Sequence, residues 1–388
     1  MTPGARAAAA IEILDAWEAG EGRAEPLLRA WGRASRFAGA KDRRAVADIV
    51  YDCLRRRRSL AARSGARGGR GLVLGLALAE SWPLETVFSG EGHAPAPPSA
   101  AELKGAEGPR PPDHPDWLEP LLRASLGPHY DAATAALAAR APVDLRVNRL
   151  RTDREGARAA LAAEAIEAAP LPEPDALRAP PGAPAARSRA YLDGLVELQD
   201  AASQAGAAFA APQPGETILD FCAGGGGKAL AFASMTGGRA RILAHDVAPT
   251  RMRDLPARAA RAGAKIELVG GAALAALRGR CDLVFVDAPC SGSGAWRRDP
   301  EAKWGLTPER LERYLDAQRE AFAAGLGLVR PGGRIAYATC SILSAENEAQ
   351  AAAFTAEHGL SAPTEMARWP GEAGDGFYCA VFSPPMRP

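Results

Sequence analysis

From residue 215 the chain repeats one arrangement: a short apolar run, then a stretch with helical spacing. The runs are "TILDFC", "RILAHDV", "KIELVG", "CDLVFVDAP" and "RIAYATCS". Strands that alternate with helices pair in parallel, because each helix carries the chain back across the sheet before the next strand begins. The pattern predicts a doubly wound α/β domain whose ligands bind beyond the carboxyl ends of the strands. "RPGGR" at 330–334 reads as a turn feeding the fifth strand.

Two of those strand ends carry a cysteine followed by serine: Cys290 in "DAPCSGSG" and Cys340 in "YATCS". A buried cysteine is usually an inert filler, but a strand-end thiol stands where α/β enzymes keep their chemistry. If the fourth and fifth strands are neighbours, about 4.8 Å apart, both thiols can face one pocket beside Asp287. That set suits a pyrimidine. A thiolate added to carbon 6 makes carbon 5 nucleophilic towards a methyl donor, an acid such as Asp287 stabilises the adduct at ring N3, and a second basic group removes the carbon 5 proton. Residue chemistry alone leaves the two thiol roles interchangeable. Cys53, Cys281 and Cys379 read as core, and Cys222 as structural within its loop.

"LDFCAGGGGKALAF" is a strand, a glycine turn and a helix start, a setting that lets backbone approach a ligand closely. A P-loop is excluded, since Cys222 stands where its first glycine belongs and Ala229 where Ser or Thr belongs. A dinucleotide fingerprint threads through Gly224, Gly226 and Ala229, with Asp246 twenty residues beyond Gly226. S-adenosylmethionine also fits. Asp220 would meet its amino group, the loop Cys222, Ala223, Gly224, Gly225, Gly226, Gly227 and Lys228 its carboxylate, and Asp246 its ribose. The paired thiols favour the methyl donor over a nicotinamide cofactor.

Upstream, "DRRAVADIVYDCLRRRRSL" spaces Val46, Ile49, Val50, Cys53 and Leu54 as one helical stripe. Arg55 to Arg58 follow, either as a dipole-matched helix end or, with Arg63, Arg67 and Arg70, as a phosphate-contacting patch. Residues 89–114 are rich in proline and glycine and read as a linker. "DLRVNRL" and its flanking helices suggest a small α+β module. A net charge of +1 over 388 residues neither requires nor excludes nucleic acid. No run approaches the roughly 20 apolar residues of a membrane span. The six cysteines show no metal-ligand spacing. These features lead us to expect a cytoplasmic protein with reduced thiols and no bound metal.

Taken in order, "VELQDAASQ", the glycine loop, "DAPCSGSGAWRRDPEAKW", "YATCS" and "DGFYCAVF" resemble the motifs of the NOL1/NOP2/Sun RNA cytosine-5 methyltransferases, especially the bacterial branch acting on small-subunit ribosomal RNA. The resemblance implies a Rossmann-like methyltransferase domain over 191–388, a small α+β module over 115–190, the linker, and an all-helical NusB-like RNA-binding domain over 1–88. It implies S-adenosylmethionine as cofactor and RNA (16S rRNA) as partner; nothing in the sequence requires more than a monomer. It makes Cys340 the nucleophile, Cys290 the residue that assists product release, and Asp287 the base contact, lying between the thiols and the cofactor and counted among the cofactor-binding residues. It also places Lys228 near the cofactor and active site. Two positions depart from the family pattern. Gly224 and Gly225 stand where Ala-Pro is usual, and Gly271 where an aspartate is usual near the adenine. Both departures imply looser cofactor binding, and the competing expectation is an RNA-binding assembly factor that has lost catalysis.

Overall fold

The structure is a computed structural model that describes residues 1–106 and 108–383. Its contacts divide it into two compact units. One comprises 1–119, 134–140 and 296–305, and the other comprises 120–133, 141–295 and the chain from 306 onward.

The first unit is helical: α1 (Pro3–Glu18), α2 (Ala24–Ala34), α3 (Ala40–Arg55), α4 (Arg57–Arg63) and α5 (Gly68–Ala79). Thr2 caps α1 by accepting from the Ala5 amide, and proline occupies its first turn. Helix α5 is buried from Gly71 through Ala77, and two glycines let its neighbours close on it. A Cβ at Gly69 would lie 2.4 Å from the Ile11 carbonyl oxygen, and one at Gly75 would lie 2.1 Å from that of Leu60. Val46, Val50, Cys53 and Leu54 are fully buried, as their spacing predicts.

The arginine run at 55–58 is ion-paired with carboxylates of the same unit. Arg55 pairs with Asp52 at 2.6 Å, Arg56 with Glu80 at 2.7 Å, Arg57 with Glu18 at 3.0 Å and Arg58 with Asp116 at 2.6 Å. Arg70 likewise pairs with Glu102 at 2.6 Å. Most of these carboxylates lie tens of residues away, so the local sequence does not reveal them. The 89–114 stretch, read above as a linker, is tied to the helices. Asp113 Oδ1 accepts from the amides of Arg58 and Ser59, both at 2.9 Å, and Ser99 and Glu102 form a capping box on a short helix, Ala100–Leu103. Residues 296–305 join this unit through Lys303 Nζ to the Arg55 carbonyl (2.9 Å) and Trp304 Nε1 to that of Leu54 (2.7 Å). Burial lowers the Lys303 ammonium to about 8.

The second unit holds two sheets. The smaller is antiparallel, in the order β2 (Ala169–Pro170), β3 (Ala176–Ala179), β1 (Val143–Val147), β4 (Val196–Leu198). The larger contains β5 (Thr217–Asp220), β6 (Arg241–Ala244), β7 (Ile266–Leu268), β8 (Cys281–Asp287), β9 (Val329–Thr339), β10 (Thr364–Arg368) and β11 (Phe377–Phe382), ordered 10-11-9-8-5-6-7. The five strands expected from the sequence are its parallel part, and β10 and β11 add an antiparallel edge. Both faces of the central strands are apolar, so side chains of alternate residues enter different cores. Leu283 and Phe285 pack with α6 (Ala201–Phe209), α7 (Gly227–Met235) and α8 (Leu255–Ala262), while Val284 and Val286 pack in the core that takes in Phe322 of α9 (Pro308–Leu326) and Phe354 of α10 (Glu348–His358). "RPGGR" is not a separate turn. It is an irregularity inside β9, where the ladder passes from Val329 paired with Cys281 to Arg334 paired with Leu283.

Candidate functional site

Register brings the two strand-end cysteines together. Strands β8 and β9 run parallel with Asp287 opposite Ala338, and the Ala288 amide donates to the Ala338 carbonyl at 2.9 Å, so both strands leave the sheet side by side. Their sulfurs end 3.5 Å apart, each half-buried. The neighbouring Cys340 sulfur and burial push the Cys290 thiol well above the ordinary cysteine range. Asp287, half-buried at the end of β8, receives the Lys228 ammonium at 2.9 Å. Lys228 rises from the first turn of α7 and lies over the Phe377 ring, 4.8 Å from its centroid.

Beneath the sulfurs lies a polar knot that the sequence reading missed. Glu346 is fully buried, and burial raises its carboxyl above the usual range. It accepts from the Ser291 amide (2.8 Å), the Ser291 hydroxyl, the Ser341 hydroxyl (2.5 Å) and Gln318 Nε2 (3.1 Å). Gln318 also donates to the Pro289 carbonyl at 3.0 Å. The serines that follow the two cysteines are thus held by one carboxylate, which couples the two loops. No local motif marks Glu346. The one clue was that both thiols are followed by serine.

At the end of β5, the glycine loop turns into α7. Gly226 sits at φ 80° as its N-cap, and a Cβ there would lie 2.2 Å from Leu255 Cδ1, so only glycine fits. Asp246 Oδ2 accepts from the Gly224 amide at 2.9 Å and pairs with Arg251 at 3.2 Å, while its Oδ1 accepts from the Ala248 amide at 2.9 Å. Asp220 Oδ2 accepts from the Ala229 amide at 2.9 Å, but its Oδ1 is buried with no partner. Burial, then the charge of Asp287, raises the Asp220 carboxyl to about 7. An orphaned acid oxygen beside a glycine loop at the carboxyl edge of a parallel sheet fits a cationic amino group, such as that of a bound amino acid moiety. The Ala223 amide donates to the His245 carbonyl at 2.9 Å, and burial pushes the Cys222 thiol up to about 12, in keeping with a structural thiol. Gly271 has φ 50°, a conformation glycine adopts without strain. Among the described residues, no helix is long and apolar enough to cross a membrane, and no cluster of His, Cys, Asp or Glu suits a metal ion.

Comparison with known proteins places this geometry. Residues 207–382 match the family model for 16S rRNA methyltransferase RsmB/F, and 114–180 match the ferredoxin-like domain of RsmF/B-like proteins. Ribosomal RNA small subunit methyltransferase B of Sodalis glossinidius is 36% identical over 281 residues, and that of Salmonella typhi 34% identical over 281. Each alignment covers 69% of this chain, which spans about 65% of the length of these relatives. One solved structure aligns over 97% of this chain and 98% of its own, with a TM-score of 0.74 and 24% identity. NSun6 from Pyrococcus horikoshii, solved with the ligand SFG, aligns over 70% of this chain and 98% of its own, with a TM-score of 0.62 and 18% identity. At those identities the solved structures establish the fold. The cofactor of this methyltransferase domain is S-adenosylmethionine. The chain belongs to the Sun/NOP2-type family of RsmB/F methyltransferases.

Proposed function

We propose that this protein methylates carbon 5 of an unpaired cytosine in small-subunit ribosomal RNA, through a transient bond between Cys340 and carbon 6. The observation that carries this reading is the pair of sulfurs 3.5 Å apart at the ends of β8 and β9, beside the Asp287–Lys228 pair. S-adenosylmethionine supplies an electrophilic methyl group. Asp220, the loop from Cys222 to Lys228, and Asp246 are the residues that would hold it. Cys340 attacks as thiolate, having given its proton to solvent. The elevated Cys290 thiol keeps its proton and can donate a hydrogen bond to the neighbouring anion. The Asp287–Lys228 pair holds the proton nearest the site and places it at ring N3 as negative charge builds there. Carbon 5 then takes the methyl. Once Cys340 is bonded to carbon 6, Cys290 gives its own proton to solvent and, as thiolate, removes the carbon 5 proton; the Cys340–carbon 6 bond then breaks and the N3 proton returns to the Asp287–Lys228 pair, which restores the aromatic ring. A stacked cytosine hides carbon 6, so the base must be presented out of its helix.

Two variants test the roles. Cys340→Ala should abolish turnover and form no covalent RNA complex. Cys290→Ala should accumulate such a complex, seen as a retarded band on a denaturing gel. The reverse pattern would assign the nucleophile to Cys290, and absence of a complex in both variants would overturn the covalent mechanism.

A further inference from the structure

The glycine loop has no side chain between Ala223 and Lys228 to hold its shape, and two of its carbonyls are held from outside. Arg258 on α8 donates through Nη1 to the Gly225 carbonyl, and Arg146 on β1 donates through Nη1 to that of Gly227 at 2.9 Å. Arg258 Nη2 pairs with Glu197 Oε2 at 2.9 Å, and Arg261 pairs with the other oxygen of the same carboxylate. The Glu197 side chain is 2% exposed, and Arg146 is 1% exposed. The Nε–H groups of all three arginines are buried without a partner. Leaving them dry is unfavourable, so this arrangement is a poor way to gain stability and a good way to fix a position. Gly225 is not in the left-handed region, so its backbone would accept other residues. A Cβ there would meet one atom within 4 Å, Arg258 Nη1 at 3.0 Å. The guanidinium occupies the space that a side chain at 225 would need.

We propose that Arg258, anchored by Glu197, is a positioning residue that sets the conformation of the cofactor loop, with Arg146 fixing Gly227 in the same way. The pair supplies from outside the rigidity that a glycine run lacks, which offsets the loosening expected from Gly224 and Gly225. The inference rests on the reading that residues 222–228 receive S-adenosylmethionine.

Calorimetric titration of the full chain with S-adenosylhomocysteine tests it. Arg258→Ala should raise Kd about tenfold, the scale of one charge-assisted hydrogen bond. Gly225→Ala should weaken binding by a similar factor, because its methyl displaces the guanidinium. Combined, the two changes should cost no more than either alone, since each removes the same contact. In the cofactor-free protein, Arg258→Ala should speed amide hydrogen exchange at 225–228 and leave β8 and β9 unchanged. Arg258→Lys, which keeps the charge but cannot span the carbonyl and the carboxylate together, should behave as Arg258→Ala does, and it serves if that variant fails to fold. A Kd within twofold of the parent protein, or losses that multiply in the double variant, would overturn the proposal. If the parent protein itself fails to bind, the cofactor reading falls and takes this one with it.

Discussion

Asp220→Asn separates what this site needs for stability from what it needs for function. The Asp220 carboxyl titrates near 7 in the folded chain against 3.8 without the fold. The folded protein therefore holds a proton that the unfolded chain releases between those values. Stability falls as pH rises from about 4 to about 7 and levels off above. The shift of roughly three pH units corresponds to about 4 kcal/mol at 1.36 kcal/mol per unit. Asparagine avoids this ionisation cost and keeps the bond from the Ala229 amide, but it places a dry NH2 where the orphaned oxygen lies, costing about 1–3 kcal/mol. The net gain at about pH 8 is about 1–3 kcal/mol, a rise in Tm of several degrees for a domain of this size. At about pH 5 the gain should vanish or reverse. Binding should move the opposite way: S-adenosylhomocysteine affinity should drop about ten- to a hundredfold, the weight of one hydrogen bond to a charged group. Thermal unfolding at the two pH values, with titration calorimetry at the higher, reads both effects. A Tm shift of the same sign and size at both pH values, or destabilisation at about pH 8, would refute the orphan-carboxylate argument.

Glu346→Ala should destabilise the fold by about 3–5 kcal/mol, because it strands the Ser291, Ser341 and Gln318 donors in a buried space. Urea unfolding measures this, and a loss under about 1 kcal/mol would mean the knot is solvated. Lys303, whose ammonium is lowered by burial from 10.5 to about 8, predicts stability that rises with pH across that interval, as the unfolded chain gives up its extra proton. Lys303→Met should flatten that rise in a pH series of melts, and an unchanged slope would assign the rise to another group.

The parallel half of the large sheet was legible because strands buried on both faces leave near-continuous apolar runs and each is followed by a helical stretch. Cys290, Cys340, Asp287 and the glycine loop stood out for a related reason: loops at the carboxyl ends of such strands are where chemistry collects. Strands β10 and β11 were harder to see as a pair, since "TEMAR" is exposed and polar along much of its length and lies at the sheet edge. The arginine run at 55–58 was ambiguous in the sequence, which gave no sign of its acidic partners. Its charge density suited either phosphate or a helix end, and Glu18, Glu80 and Asp116 neutralise it from elsewhere in the chain.

What the residues determined by themselves was the set of chemical groups and the kind of sheet that presents them, because side-chain type and hydrophobic period act over a few neighbours. Tertiary structure decided the distances. The 3.5 Å between two sulfurs fifty residues apart, the carboxylate of Glu346 beneath both loops, and the reach of Arg258 to Gly225 all depend on strand register and helix packing. Those arise from the burial of whole faces, which no short stretch of sequence contains.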